Sequence, residues 1–263
     1  MATTIAVLSQ KGGTGKTTTV RTLSDVLSRV GLETLAVDLD PQGNLSDYFD
    51  VPADAEPTVS DVLAGQAKAV DAIHGGIVPA NLGLAESELV LSGKMGREMT
   101  MRRALREVKR HYDFVLIDCP PSLGLLTVNA VVAADYALVT TEAQYFSLQG
   151  VEQALEVIEL AKENLHPDLE WLGVVMNIAD MRLVHSREAL SQLRERFGEK
   201  VFDSVIRASI RYAESAERGL SIIDYRPVLG ADYLALADEL LGRLGLEAER
   251  ERLGELRAEL VPA

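Results

Sequence analysis

Apolar residues along this chain gather into short unbroken runs, separated by longer stretches in which they recur every three or four positions. Residues 3–9, 34–38, 113–118, 136–140, 172–177 and 201–206 are runs of apolar and β-branched residues, the pattern of strands buried on both faces. Between them Val20, Leu23, Leu27 and Val30 fall on one face of a helix, as do Val151, Leu155, Ile158 and Ala161 over 147–163. Helices are also predicted over 97–110, 127–134, 184–197 and 230–244, with short ones at 58–64 and 67–73 and a short strand at 82–85. Apolar strands alternating with helices predict an α/β fold, a mostly parallel twisted sheet with helices on both faces. At 263 residues and 47% hydrophobic composition, one such core is the economical count. The expected organisation is one domain over 1–245 and a charged helical tail of the same domain over 246–263.

The turn after the first strand reads Gln-Lys-Gly-Gly-Thr-Gly-Lys-Thr-Thr-Thr over residues 10–19. Strand, glycine-rich turn and helix are the context of a phosphate-binding loop, in which backbone N–H groups and a helix N-terminus face phosphate oxygens. Gly12, Gly13, Thr14, Gly15, Lys16, Thr17 and Thr18 form the expected nucleotide cradle of a P-loop NTPase. Lys16 is predicted to reach the β/γ-phosphates, and the Thr17 hydroxyl to coordinate Mg²⁺. The usual glycine five residues before Gly15 is replaced by Gln10, and Lys11 adds a second lysine. Asp38, Asp40 and Asp118 stand at or just beyond the ends of predicted strands, the edge where ligands sit in such sheets. Asp118 is expected to hold Mg²⁺ through a water. Asn177, at a fourth strand end, is read either as an adenine contact or as a buried amide satisfied by backbone.

The loop with Lys11 resembles the deviant Walker A motif of the ParA/MinD family, whose members dimerise with two ATP molecules sandwiched between subunits. Residues 37–44 (Val-Asp-Leu-Asp-Pro-Gln-Gly-Asn) match the family's second motif, and 114–122 match its Walker B and the switch after it. Residues 172–242 resemble the C-terminal part of ParA. Because the loop starts almost at Met1, the likeness is to small chromosomal, Soj-like ParA proteins, with no room for an added N-terminal DNA-reading domain. The resemblance implies that Lys11 crosses the dimer interface to the partner's phosphates. It also implies that Asp40 orients the attacking water and that Asp38 supports the metal's water shell, making Lys11, Lys16 and Asp40 the catalytic set. Residues 206–209 and 213–216 depart from the family's sequence where relatives close the nucleotide pocket; Arg207 of that loop joins the nucleotide-binding residues. ATP and Mg²⁺ are the implied cofactors.

A formal charge of −14 opposes DNA binding unless basic residues cluster. Seven arginines lie between 182 and 218, interleaved with Glu188, Glu195 and Glu199, and can form either a patch or ordinary solvated positions. By resemblance Arg182 and Arg211 match positions that bind DNA without sequence preference in Soj-like proteins, with Arg187 and Arg218 beside them.

No signal peptide opens the chain and no apolar run approaches ~18 residues, so a cytoplasmic, nucleoid-associated protein is expected. Residues 247–259 hold five glutamates and three arginines, unlike a membrane-surface helix with a basic polar face. The leading expectation is a DNA-partitioning ATPase, a homodimer with ATP that binds DNA non-specifically and is released by a ParB-like activator. The alternatives are a related ATPase that positions a protein cargo on the nucleoid, and a MinD-like membrane positioner. The iron protein of nitrogenase shares this loop, but its bridging cluster needs two cysteines per subunit and this chain has one.

Overall fold

The computed structural model describes residues 1–144 and 147–260. Seven strands form one sheet in the order β3-β2-β4-β1-β5-β6-β7, and every pair is parallel. β1 (Thr3–Leu8) leads through the glycine loop to α1 (Lys16–Arg29), and β2 (Thr34–Asp38) is followed by α2 (Asn44–Tyr48) and α3 (Val59–Ala64). The two-residue edge strand β3 (Ile77–Val78) precedes α4 (Gly83–Ser92) and α5 (Thr100–Val108). Then come β4 (Phe114–Asp118), α6 (Leu125–Ala133), β5 (Tyr136–Glu142), α7 (Ser147–Asn164), β6 (Glu170–Ala179), α8 (Val184–Phe197) and β7 (Val201–Arg207). The chain closes with α9 (Arg211–Glu217), α10 (Ile222–Tyr225), α11 (Pro227–Arg243) and α12 (Glu247–Leu260).

The period-two alternation of a strand sends neighbouring residues into opposite cores. On β1, Ala6 and Leu8 join the layer packed by α5, α6, α7 and α8, while Ile5 and Val7 join the layer of α1, α11 and α12. All four are fully buried. β1 thus lies at the centre of the sheet with a hydrophobic core on each side, and the glycine loop leaves from its end.

The strand expected at 82–85 is instead the start of α4. Leu84 and Leu91 are its two buried residues, seven apart and hence on one helical face, whereas Leu82 is exposed. The edge strand lies earlier, where Ile77 and Val78 pair with Ala36 and Val37. β6 is longer than its apolar run and contains a register shift opposite Ala137 and Leu138. Gly173 sits there at φ +149°, and a Cβ at that position would lie 2.3 Å from the Lys200 carbonyl oxygen. Only glycine admits β6 so close to the segment entering β7. In the tail, Leu253 of α12 is buried, and Leu246, Leu256 and Leu260 pack partly buried against the same layer. Residues 261–263 of the predicted tail lie outside the described residues.

Candidate functional site

The loop between β1 and α1 is shaped by two glycines in the left-handed region, Gly13 at φ +78° and Gly15 at φ +80°. Gly15 is the N-cap of α1, with no capping side chain and no acidic residue in the first turn. The opening N–H groups of a 14-residue helix therefore face the loop's concavity, an anion site by geometry. Gly15 is fixed a second time from below, where a Cβ would lie 2.8 Å from the Asn177 amide nitrogen.

Lys16, almost fully buried, folds along the loop and donates from Nζ to the Ser9 hydroxyl at 3.2 Å and the Lys11 carbonyl at 3.4 Å. Thr14 turns its hydroxyl inward to Ser9 and Thr140. Gly12, Gly13, Gly15, Lys16, Thr17, Thr18 and Asp40 line one cleft of about 610 Å³, together with Tyr212 and Ile178. Lys11 takes the opposite direction. Its ammonium donates to the carboxylate of Glu142 and to the Gln144 side-chain oxygen at the end of β5. The two lysines of the motif thus occupy different sides of the loop.

Asp38 and Asp118 are register partners on β2 and β4, both buried. Thr17 Oγ1 donates to Asp118 Oδ2 at 2.6 Å, while Asp118 Oδ1 is buried without a hydrogen-bond partner. Two hard oxygen donors with one carboxylate oxygen left unsatisfied fit a magnesium ion. Burial, followed by the neighbouring Asp38 charge, pushes Asp118 up to about 8. Burial also raises Asp38, to about 6, against the lowering effect of its hydrogen bonds. Asp38 accepts from the Ser46 N–H at 2.9 Å, the Ser46 hydroxyl at 2.7 Å and the Asp40 N–H at 3.1 Å. Both its oxygens are engaged in holding the 40–46 loop, so the geometry gives it a positioning role there. Asp40, partly exposed at the cleft, accepts from the Gln42 N–H at 3.0 Å.

Asn177, read as either an adenine contact or a buried amide, and Arg207, counted with the nucleotide-binding residues, both have partners within the chain. Asn177 is buried beneath the loop, its amide donating to the Thr14 carbonyl at 2.8 Å and to the Thr19 hydroxyl at 3.2 Å. Its amide thus supports the phosphate loop, while its Oδ1 is buried without a hydrogen-bond partner, an acceptor still open to a ligand. Arg207 turns away to α11, ion-paired to Asp232 at 2.8 Å and donating to the Val228 carbonyl. The cleft wall is formed instead by Tyr212 and by Ile178, a β-branched residue at φ +53°. Such a backbone is rare for isoleucine and concentrates at functional sites. Nothing in the sequence signals it.

The four arginines expected at DNA come from two neighbouring places. The ends of β6 and β7 run side by side, with the Ala208 N–H donating to the Ala179 carbonyl, so the loop carrying Arg182 emerges beside the loop leading to α9 and Arg211. Arg182 is highly exposed and bidentate to Asp180, which it holds down at about 2. Arg211 is paired to Glu214, Arg187 donates to the Met181 and Arg182 carbonyls, and Arg218 lies over the Tyr225 ring at 5.1 Å.

Comparison with known proteins decides the family. A family model described as an AAA domain matches residues 2–171. The sporulation initiation inhibitor protein Soj of Bacillus subtilis is 38% identical over 249 residues, covering 91% of this chain and 98% of Soj. The chain belongs to the ParA/MinD family of deviant Walker A ATPases. The chromosome partitioning protein ParA of Caulobacter vibrioides is 37% identical, with 94% of this chain and 95% of that one covered. Among solved structures, a Mycobacterium smegmatis protein titled cobyrinic acid a,c-diamide synthase, with bound ADP and magnesium, superposes with a TM-score of 0.76. It is 36% identical, over 83% of this chain and 92% of that one. This ParA/MinD member has the P-loop NTPase fold, and no helix among its described residues is long and apolar enough to cross a membrane.

Proposed function

We propose that this ParA/MinD protein is a DNA-partitioning ATPase that binds ATP with Mg²⁺, dimerises on it, holds DNA non-specifically and releases it on hydrolysis when a ParB-like partner acts. The observation that carries the reading is the divergence of the two loop lysines, Lys16 inside the cleft and Lys11 outside it. A lysine that leaves its own phosphate loop is placed to serve a second phosphate site, and a sandwich of two copies supplies one.

In this reading the N–H groups from Gly12 to Thr18 hold the phosphates and Lys16 neutralises the β/γ-oxygens. Thr17 and Asp118 hold Mg²⁺, which when bound offsets charge building on the transferring phosphoryl group. Asp38 keeps the 40–46 loop in place so that Asp40 is at the cleft to orient a water. Arg182, Arg187, Arg211 and Arg218 supply phosphate contacts to DNA, which give affinity without sequence preference. The resemblance to ParA supports chromosome or plasmid DNA as the cargo, and a cytoplasmic, nucleoid-associated location.

Co-sedimentation with duplex DNA in ATP, ADP and no nucleotide tests the reading. Binding with ATP alone is expected. Equal binding in all three states would remove the nucleotide switch, and none in any state would leave a protein cargo as the stronger alternative.

A further inference from the structure

The strongest local positive charge on this acidic protein stands apart from the nucleotide cleft and from the arginines of residues 182–218. Between 94 and 110 are seven basic residues and two acidic ones. Elsewhere arginines are mostly neutralised in place, as Arg29, Arg182, Arg194, Arg196, Arg207, Arg211, Arg243, Arg250 and Arg252 each hold a carboxylate. On and just beyond α5 the pattern breaks. Arg102, Arg103, Arg106 and Arg110 are all exposed, and among the described residues none of them is ion-paired. The one side-chain bond from this set goes to a backbone carbonyl, Arg103 to Gly96 at 2.6 Å.

Helical geometry explains the arrangement. Met101, Leu105 and Val108 recur at helical spacing and are buried, so the residues between them must face outward. Along the outward side α5 borders a groove of about 400 Å³ whose opposite wall is the 67–70 segment. Val62, Ala67, Val70 and Ala104 give the groove an apolar floor, while Lys68, Arg103 and Arg106 stand on its rim with Glu107 as the one carboxylate. Lys94 adds a further cation close by, its ammonium on the Ala64 carbonyl at the end of α3.

We infer that this groove is a docking site for an acidic peptide segment of a partner protein, with carboxylates on Lys68, Arg103 and Arg106 and small apolar side chains on the alanine and valine floor. Charge complementarity selects the occupant. Three cations around one carboxylate carry a net positive field on a molecule that is otherwise strongly negative, so an anionic segment is drawn to this spot and repelled from most others. A duplex contacts convex rows of cations through its phosphates and has no use for an apolar floor. An extended peptide uses both, because its alternate side chains point to opposite sides.

Fluorescence anisotropy with a labelled twelve-residue peptide of alternating glutamate and valine tests the inference on the full chain. Binding is expected to weaken steeply with salt and to fall at least tenfold in Arg103→Glu/Arg106→Glu. In Arg182→Glu/Arg211→Glu, and in Arg102→Glu/Arg110→Glu (the crest variant, whose arginines are exposed on and just beyond α5 but do not line the groove), it should stay within threefold. Val70→Asp, which changes the floor and leaves every rim cation in place, should also weaken it. A peptide of alternating lysine and valine should not bind. Unchanged affinity in Arg103→Glu/Arg106→Glu would overturn the site, as would a loss confined to the crest variant. Loss of duplex DNA binding in Arg103→Glu/Arg106→Glu, with peptide binding intact, would make this a nucleic-acid surface and equally overturn it. Circular dichroism and ATP binding at wild-type levels establish that each variant is folded.

Discussion

Asp38 and Asp118 face each other in register across β2 and β4, two buried carboxylates on adjacent strands of one sheet. Both titrate above the ordinary carboxylate range, so the folded protein holds protons that the unfolded chain has released. Where the native state binds more protons, stability falls as pH rises. In the absence of divalent metal the contribution of this pair is therefore most favourable near pH 4 and is lost progressively up to about 8, the value of Asp118. Asp118→Asn removes one of the charges. Thermal melts between pH 5 and 8.5 in EDTA should show a shallower decline for the variant than for the wild type. Parallel slopes would mean that Asp118 is ionised at no such cost. Mg²⁺ with nucleotide should stabilise the wild type more at pH 8 than at pH 6, because the ion binds the ionised form.

The two loop lysines should separate binding from assembly. Lys16→Ala removes the cation inside the cleft and should weaken ATP by roughly 100-fold or more, a loss typical of deleting one preorganised electrostatic donor. Lys11→Ala should leave ATP affinity within a few-fold while abolishing the ATP-dependent dimer. Equilibrium dialysis and size-exclusion chromatography read the two effects. A stable ATP dimer in Lys11→Ala would refute the sandwich.

Asp40→Ala should bind ATP and accumulate as a dimer while hydrolysing roughly 100-fold more slowly, the scale of losing a positioned general base or water-orienting group. Phosphate release measured beside chromatography gives the comparison. Monomer alone in ATP would show that Asp40 acts in assembly instead.

DNA affinity should depend on freeing arginines from their own carboxylates. Arg182→Glu and Arg211→Glu should each weaken binding with nucleotide affinity unchanged. Asp180→Asn should strengthen it, since Arg182 is bidentate to Asp180. The wild-type log–log salt slope should be about −0.9 per phosphate contacted. If Asp180→Asn has no effect on filter-binding curves, Arg182 is not at the DNA surface.

Leu253 anchors α12 in the layer that also packs α1 and α11. Truncation to alanine should cost about 2–5 kcal/mol, the range for a buried leucine, in urea unfolding. Wild-type stability in Leu253→Ala would mean that the helix contributes nothing to the domain.

The phosphate loop and its strand and helix were legible because their chemistry is local. Glycines at 13 and 15, lysine at 16 and threonine at 17 carry their meaning within a few residues. The parallel sheet with helices on both faces was legible as well, since apolar runs alternating with helices leave few other architectures; the strand order was not. The edge strand was not legible, because the two residues Ile77 and Val78 cannot show a period. Asn177 illustrates a different limit. Its position at a strand end was readable, but whether its amide faces a base or the loop above depends on Thr14 and Thr19, more than 150 residues earlier. Glu142 and Gln144 were invisible as partners of Lys11 for the same reason, and Arg207 could not be assigned to Asp232 without the packing of α11 on β7.

Lys11 carries one last consequence. Within a single copy this lysine is already engaged by Glu142 and Gln144, so an incoming anion does not meet a bare cation. It has to displace a carboxylate, and the energy gained is the difference between two ion pairs. In the proposed sandwich the Lys11 contact is therefore worth less than a bare ion pair, though still favourable. In that proposed dimer, Glu142 is at hand to recover Lys11 when the copies part, a built-in route to separation.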